Sequence, residues 1–399
     1  MRKKTTRKQP RPASLDTSVF NAVIAHGDAD ARLALARQLA SLVADPRANP
    51  REKAEATPSL LRLLMDPEKK IRAAAARVLT PASGLSPDIV FTIAADDDDI
   101  ALPFIERSPS VHGKRQLAIF KAGDISRRIT MARRPDITRE TIHAMAMQGE
   151  RPVVAALLAN SAAHVDNDDA KRIYVRFRDD EKIISRLLKF PHLPLEIRIA
   201  HVRHTTGNMR DKLKINGWLP DNEAAQAIAE SEEQALADIL ARARDSEQLM
   251  AAISFAAHRK ALTPAVIFRA ACHGHVMVLE HAMAYLANMP VRRVRALAWG
   301  GSGMGFRTIY RKSGLPDGCL MLARAIFDVA AREDMKDFSM DKKLSPEAFG
   351  HKLLEKLATG YDNLSVAERT RLADLVARFA AAGVRPLARR LEASLSRAA

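Results

Sequence analysis

The sequence predicts an all-α protein, an α-solenoid in which helical hairpins stack side by side. Three observations carry this. Apolar residues recur at i, i+3, i+4 and i+7 in short runs, the spacing of helices that bury one face. A start signal recurs at Leu85-Ser86-Pro87, Leu262-Thr263-Pro264 and Leu344-Ser345-Pro346; the hydroxyl caps free N–H groups and the proline sits where no N–H is needed. Hydrophobic residues make up 47% of the chain but aromatics only 5%. Aliphatics and alanine therefore fill the core, and the alternation that marks a sheet is scarce.

Taken in order, Met1–Ala13 carries Arg2, Lys3, Lys4, Arg7, Lys8 and Arg11 with no acid. Like charges and two prolines predict a disordered basic tail over residues 1–14. Leu15–Val43 reads as a helical pair broken near Gly27-Asp28, with Leu33, Leu35, Ala36, Leu39, Ala40 and Val43 as the buried stripe of its second helix. Asp45–Pro50 reads as a turn. Thr57–Leu79 then reads as the repeat unit. Thr57 and Pro58 start a helix carrying Leu60, Leu61, Leu64 and Met65; Asp66-Pro67 restarts the chain; Ile71, Ala74, Ala75, Val78 and Leu79 form the second stripe before Thr80-Pro81 ends it. The small alanines let two helices approach closely. This helix, Asp-Pro turn and Ile-Arg-x-Ala-Ala-Ala helix resembles a HEAT repeat.

Ile137-Thr138-Arg139 is a variant start without the proline. Thr138–Asn160 and Thr263–Asn288 share a plan: capped helix, a glycine at Gly149 or Gly274, a second helix, then Leu-Ala-Asn, with Asn160 and Asn288 as helix C-caps. The start signals are unevenly spaced, so the repeat is degenerate. Asp96–Asp99 reads as a solvated turn that favours the next helix dipole; the spacing of a calcium loop is absent. Pro, Gly and Asn mark Thr205–Glu223 as the boundary between an N-terminal set of repeats, 15–206, and a C-terminal set, 221–399. A glycine-rich loop is expected over Gly300–Gly318, and a third break over Asp334–Leu344. The last helices are expected from about Ala348 to Leu357, and from Ser365 to the end with Leu372, Leu375, Val376, Phe379 and Ala380 as their core stripe.

Formal net charge is +16, which implies attraction to something anionic. The two cysteines, Cys272 and Cys319, are too few for a disulfide framework and fit a reducing compartment. No apolar run approaches the ~20 residues of a membrane span, and the basic N-terminus lacks the apolar core of a signal peptide. A soluble, cytoplasmic protein is expected.

Catalytic constellations do not stand out. Gly300–Gly305 lacks the spacing and the preceding strand of a phosphate loop. Cys272, His273, His275 and His281 lie close together, but adjacent residues point apart on a helix and Gly274 interrupts them, so they read as histidines at a helix junction rather than a metal site. No metal or cofactor is expected. The strongest functional cue is the acid-free stretch His281–Pro316. It holds Arg292, Arg293, Arg295, Arg307, Arg311 and Lys312, with Trp299, Phe306 and Tyr310 interleaved. On a helix Arg292, Arg295 and Trp299 fall within about 60° of one another. Guanidinium groups beside an indole can grip phosphate while the ring stacks on a base; a cation–π contact within the fold is the alternative. The expected anion- or nucleic-acid-binding set is Arg292, Arg295, Trp299, Arg307, Tyr310, Arg311 and Lys312. A second basic block is Arg107–Arg134, and Asp221–Glu247, with Glu232, Glu233 and Asp238, is by contrast acidic.

Three segments, Ile129-Thr130-Met131-Ala132-Arg133-Arg134-Pro135-Asp136-Ile137, Gly149 through Leu158-Ala159-Asn160-Ser161-Ala162-Ala163, and Lys312-Ser313-Gly314-Leu315-Pro316, look like an uncharacterised alphaproteobacterial family of HEAT-like proteins, a DUF2336-type domain of unknown function. The likeness covers roughly residues 28–320; it implies the fold and carries over no catalytic residue. A looser likeness is to the HEAT-like alkylpurine DNA glycosylases, which use a carboxylate near aromatics at a DNA cleft; the basic-aromatic stretch here has no carboxylate of its own. The sequence therefore points to a non-enzymatic scaffold or adaptor for a protein partner, with nucleic-acid binding through the basic surface and tail as the rival.

Overall fold

The first hairpin forms where the local signals say. Asp28 Oδ1 accepts from the Ala31 N–H at 2.8 Å, which caps the second helix and separates it from the first. The same logic repeats in the computed structural model of the chain, which describes residues 16–216, 221–300, 303–335, 337–338, 344–359 and 365–397. The expected basic tail, residues 217–220 of the expected boundary, 301–302 of the glycine-rich stretch, and 336 and 339–343 of the third break lie outside the described residues. Those described form twenty-three α-helices, one short 3-10 turn and no strand. They divide into two compact units, Met1–Pro191 and His192–Ala399.

The first unit holds α1 (Thr17–His26), α2 (Ala29–Ala44), α3 (Pro50–Leu63), α4 (Lys69–Leu79), α5 (Pro87–Ala94), α6 (Asp98–Arg107), α7 (Lys114–Ala122), α8 (Ile125–Ala132), α9 (Arg139–Gln148), α10 (Arg151–Ala159), α11 (Asn167–Phe177) and α12 (Glu181–Leu187). Each odd helix packs on the even helix that follows it, and every helix packs on the next but one. This is the ladder of an α-solenoid, with an odd layer and an even layer. Each hairpin hides its apolar stripe against the next; Leu39, Leu60, Ile71, Leu79, Ile89, Phe104, Phe120, Met145, Leu157 and Ile173 are all buried.

Several local expectations shift. Thr57 and Pro58 lie inside α3, which starts seven residues earlier at an Asn49-Pro50 signal of the same kind. Thr57 Oγ1 instead donates to the Lys53 carbonyl at 2.7 Å. The helix survives Pro58 because its inward residues Ala56, Ser59, Leu60 and Leu63 pay for one lost backbone bond. Asp66 starts nothing itself; its carboxylate accepts from the Glu68 N–H and from Arg32. Asp96–Asp99 is not simply solvated. Asp96 and Asp97 pair with Arg72, Asp98 with Arg127 and Asp99 with Lys69. Asn160 ends α10 but spends its amide on the Ala132 and Arg134 carbonyls (3.0 and 2.7 Å).

The second unit holds α13 (Leu195–Asn216), α14 (Asp221–Leu240), α15 (Ser246–His258), α16 (Pro264–Cys272), α17 (Val276–Leu286), α18 (Val291–Trp299), α19 (Gly303–Lys312), the 3-10 turn Asp317–Cys319, α20 (Leu320–Arg332), α21 (Pro346–Thr359), α22 (Val366–Phe379) and α23 (Arg385–Arg397). Within this unit α13, α14 and α15 each pack on the next helix but one, and α16 also packs on α20, α21 and α22. Val266–Cys272 and Val276–Ala284 are buried residue after residue, as a helix apolar all round demands. Between them Gly274 has φ +91°, the left-handed region that glycine alone enters without strain.

Two loops expected in this unit contain helix, and one expected helix is divided. Thr205 to Asn216 belongs to α13, held because Arg203 and Arg210 both pair with the buried Glu232 of α14. The glycine-rich 300–318 stretch contains α19, because Phe306, Ile309 and Tyr310 recur at i, i+3, i+4 and are buried. The run from Ser365 breaks into α22 and α23 around Gly383.

Candidate anion-binding surface

Helices α17, α18 and α19 bring the expected site residues together but divide them in two. The divider is Glu280 on α17, a carboxylate with no exposure at all. Arg295, one helix on, donates to it through Nε (3.0 and 3.1 Å) and Nη2 (2.7 Å), a forked ion pair. Trp299, four residues further along α18, donates Nε1–H to Glu280 Oε2 at 2.5 Å. Its ring meets Phe327 edge-on at 5.2 Å. Tyr310 is fully buried and its hydroxyl donates to the Pro316 carbonyl at 2.6 Å; burial pushes that phenol well above its usual range. Arg295, Trp299 and Tyr310 thus hold three helices to one core.

Arg292, Arg293, Arg307, Arg311 and Lys312 point outward and are exposed. Arg311 makes a long, exposed contact to Asp317 at 3.8 Å. These five cations are the part of the expected site that is exposed to solvent. The carboxylate that a glycosylase likeness would ask for does lie beside Trp299, but it is inside the protein and neutralised, not at a cleft.

The second basic block is spent differently again. Arg127 donates to the Ala94 and Asp96 carbonyls and pairs with Asp98 and Asp124. Arg134, 2% exposed, donates to the Ile105 and Ser108 carbonyls and to Asp136. Arg176 reaches the Ala146 and Gly149 carbonyls. In each case a guanidinium satisfies carbonyls left over near a helix C-terminus in the preceding hairpin. The acidic helix is likewise partly consumed: Glu232 binds Arg203 and Arg210, and Glu233 binds the buried Arg269.

Among the four residues near the α16–α17 junction, Cys272 and His281 are fully buried. Burial pushes the Cys272 thiol far up and the His273 and His281 imidazoles down, so all three are neutral at pH 7. No group of three or more metal-ligating side chains is gathered among the described residues. Glu280 is the functional-looking residue that composition hides, because it stands one residue before the acid-free stretch begins.

No helix among the described residues is long and apolar enough to cross a membrane. No curated protein and no solved structure matches the chain. Residues 100–347, more than half of the chain, match the family described as an uncharacterised protein conserved in bacteria (DUF2336), and the chain belongs to that family.

Proposed function

We propose that this protein is a scaffold or adaptor that works by binding a protein partner in the cytoplasm, without chemistry in that role. The observation that carries this is the odd layer of the first unit. Val19 on α1, Phe91 on α5, Met147 on α9 and Val175 on α11 are exposed, and so is Met65 at the end of α3. Five of the six hairpins thus offer one large apolar side chain on one layer, a spacing suited to an extended partner. Two buried free thiols fit a reducing compartment. The test is affinity capture with the full chain as bait against a variant carrying M65K, F91E, M147K and V175K. A partner held by the wild type and lost from the folded variant supports the reading. Equal capture by both refutes it.

A second reading rests on the five outward cations of α18 and α19. If they hold nucleic acid, duplex or single-stranded DNA binds at low salt, weakens steeply as salt rises, and is lost in R292E/R311E. Fluorescence anisotropy at two salt concentrations decides; no binding at low salt removes this reading.

A further inference from the structure

We propose that Ser246 is a nucleophile toward activated acyl esters, with His281 as its general base. Ser246 opens α15 and is exposed, whereas His281, from α17, is wholly buried. Ser246 Oγ lies 2.7 Å from His281 Nε2. His281 Nδ1 lies 2.8 Å from the Met277 carbonyl oxygen. A carbonyl can only accept, so Nδ1 carries the ring proton and Nε2 keeps its lone pair for the serine hydroxyl. Nucleophile, base and orienting group are therefore in the order that nucleophilic catalysis requires. The Glu280 carboxylate lies 3.8 Å from Nδ1 and is itself paired with Arg295.

The end of α15 supplies a place for the oxyanion. Gln248 N–H donates to Asp245 Oδ1 and Leu249 N–H to the Asp245 carbonyl. Ser246 and Glu247 contribute the first two N–H groups of the helix, which have no acceptor within it; a nucleophile at a helix start is flanked by such donors. Phe338 packs edge-on against the His281 ring at 5.8 Å.

The step balances within the pair and the ester. The Ser246 O–H proton passes to His281 Nε2 as Oγ bonds to the acyl carbon. The tetrahedral oxyanion collapses, the bond to the leaving oxygen breaks, and that oxygen takes the proton back from Nε2. The products are an acyl-serine and the free alcohol or phenol. This is one acylation per chain, so it adds to the binding role and does not depend on it.

The test treats the full chain with 4-nitrophenyl acetate and maps acetyl groups by mass spectrometry. One acetyl group is expected on Ser246, formed about 100-fold faster than in the urea-unfolded chain, the lower end of general-base assistance. It disappears in S246A, with circular dichroism showing that the variant is still folded. Acetylation confined to lysines, equal labelling of Ser246 in folded and unfolded chains, or an unchanged nitrophenolate burst in S246A overturns the assignment.

Discussion

The division of the basic stretch turns on Glu280, and it makes an asymmetric prediction. Removing one partner of a buried ion pair costs about 3–5 kcal/mol, because a charge is left uncompensated. In R295A that stranded charge is the fully buried Glu280. The Arg295 side chain is 43% exposed and Trp299 still donates to the carboxylate, which lowers the expected cost to about 3 kcal/mol. E280Q keeps the shape but exchanges one of two acceptor oxygens for an NH2 donor that faces other N–H donors, and should cost about 2 kcal/mol. The double variant R295A/E280Q should be more stable than R295A alone by about 1 kcal/mol or more, since the stranded charge is gone. Trp299 reports directly on this site. Urea titration followed by its fluorescence, in a background where the chain's other tryptophan, Trp218, is phenylalanine, measures all three. A cost for R295A below about 0.5 kcal/mol, the level of a solvated surface arginine, would refute the reasoning and return Arg295 to the ligand-binding set.

Three further outcomes follow from the same structure. R134M orphans the Ile105 and Ser108 carbonyls and should cost about 3 kcal/mol in a urea melt, with R134K recovering less than half, because an ammonium cannot fork to both. G274A forces a side chain into φ +91° and should cost about 1–2 kcal/mol by calorimetry. Burial lowers the pKa of His201, His273 and His281, all in the second unit. The unfolded chain binds more protons than the folded one below a histidine's ordinary pKa of about 6.5, so stability must fall as pH drops through that point toward the lowered folded values. The second unit should melt at a lower temperature at pH 5.5 than at pH 7.5; an unchanged or higher melting temperature in acid would contradict the burial of these rings.

How much of this was legible in the sequence depended on how local the cause was. The starts at Asp28, Ser86, Thr263 and Ser365 need only a side chain and the next turn, and each cap bond is present. Thr57-Pro58 carries the same signal and fails, because Asn49-Pro50 had already started the helix and burial of Leu60 and Leu63 carried it through. Gly207 and Asn208 mark a loop in isolation, yet the Arg203 and Arg210 pairs with Glu232 keep α13 intact on both sides of them. The site divided for a different reason. Arg127 and Arg134 bind backbone carbonyls as well as carboxylates of other turns, so they swell the basic count of the sequence while adding little to the charged surface. The Ser246–His281 pair spans 35 residues, and no local pattern joins residues so far apart.

The central claim is that many of this chain's arginines hold the fold together, and that a defined few are left exposed to solvent. Native-state modification of arginines with phenylglyoxal, read peptide by peptide by mass spectrometry, tests it most directly. Arg72, Arg127, Arg134 and Arg269, whose side chains are 16%, 13%, 3% and 5% exposed, should stay protected while Arg292, Arg293 and Arg307 react quickly. Reaction of Arg127 and Arg134 as fast as Arg292 in the folded chain would contradict the account.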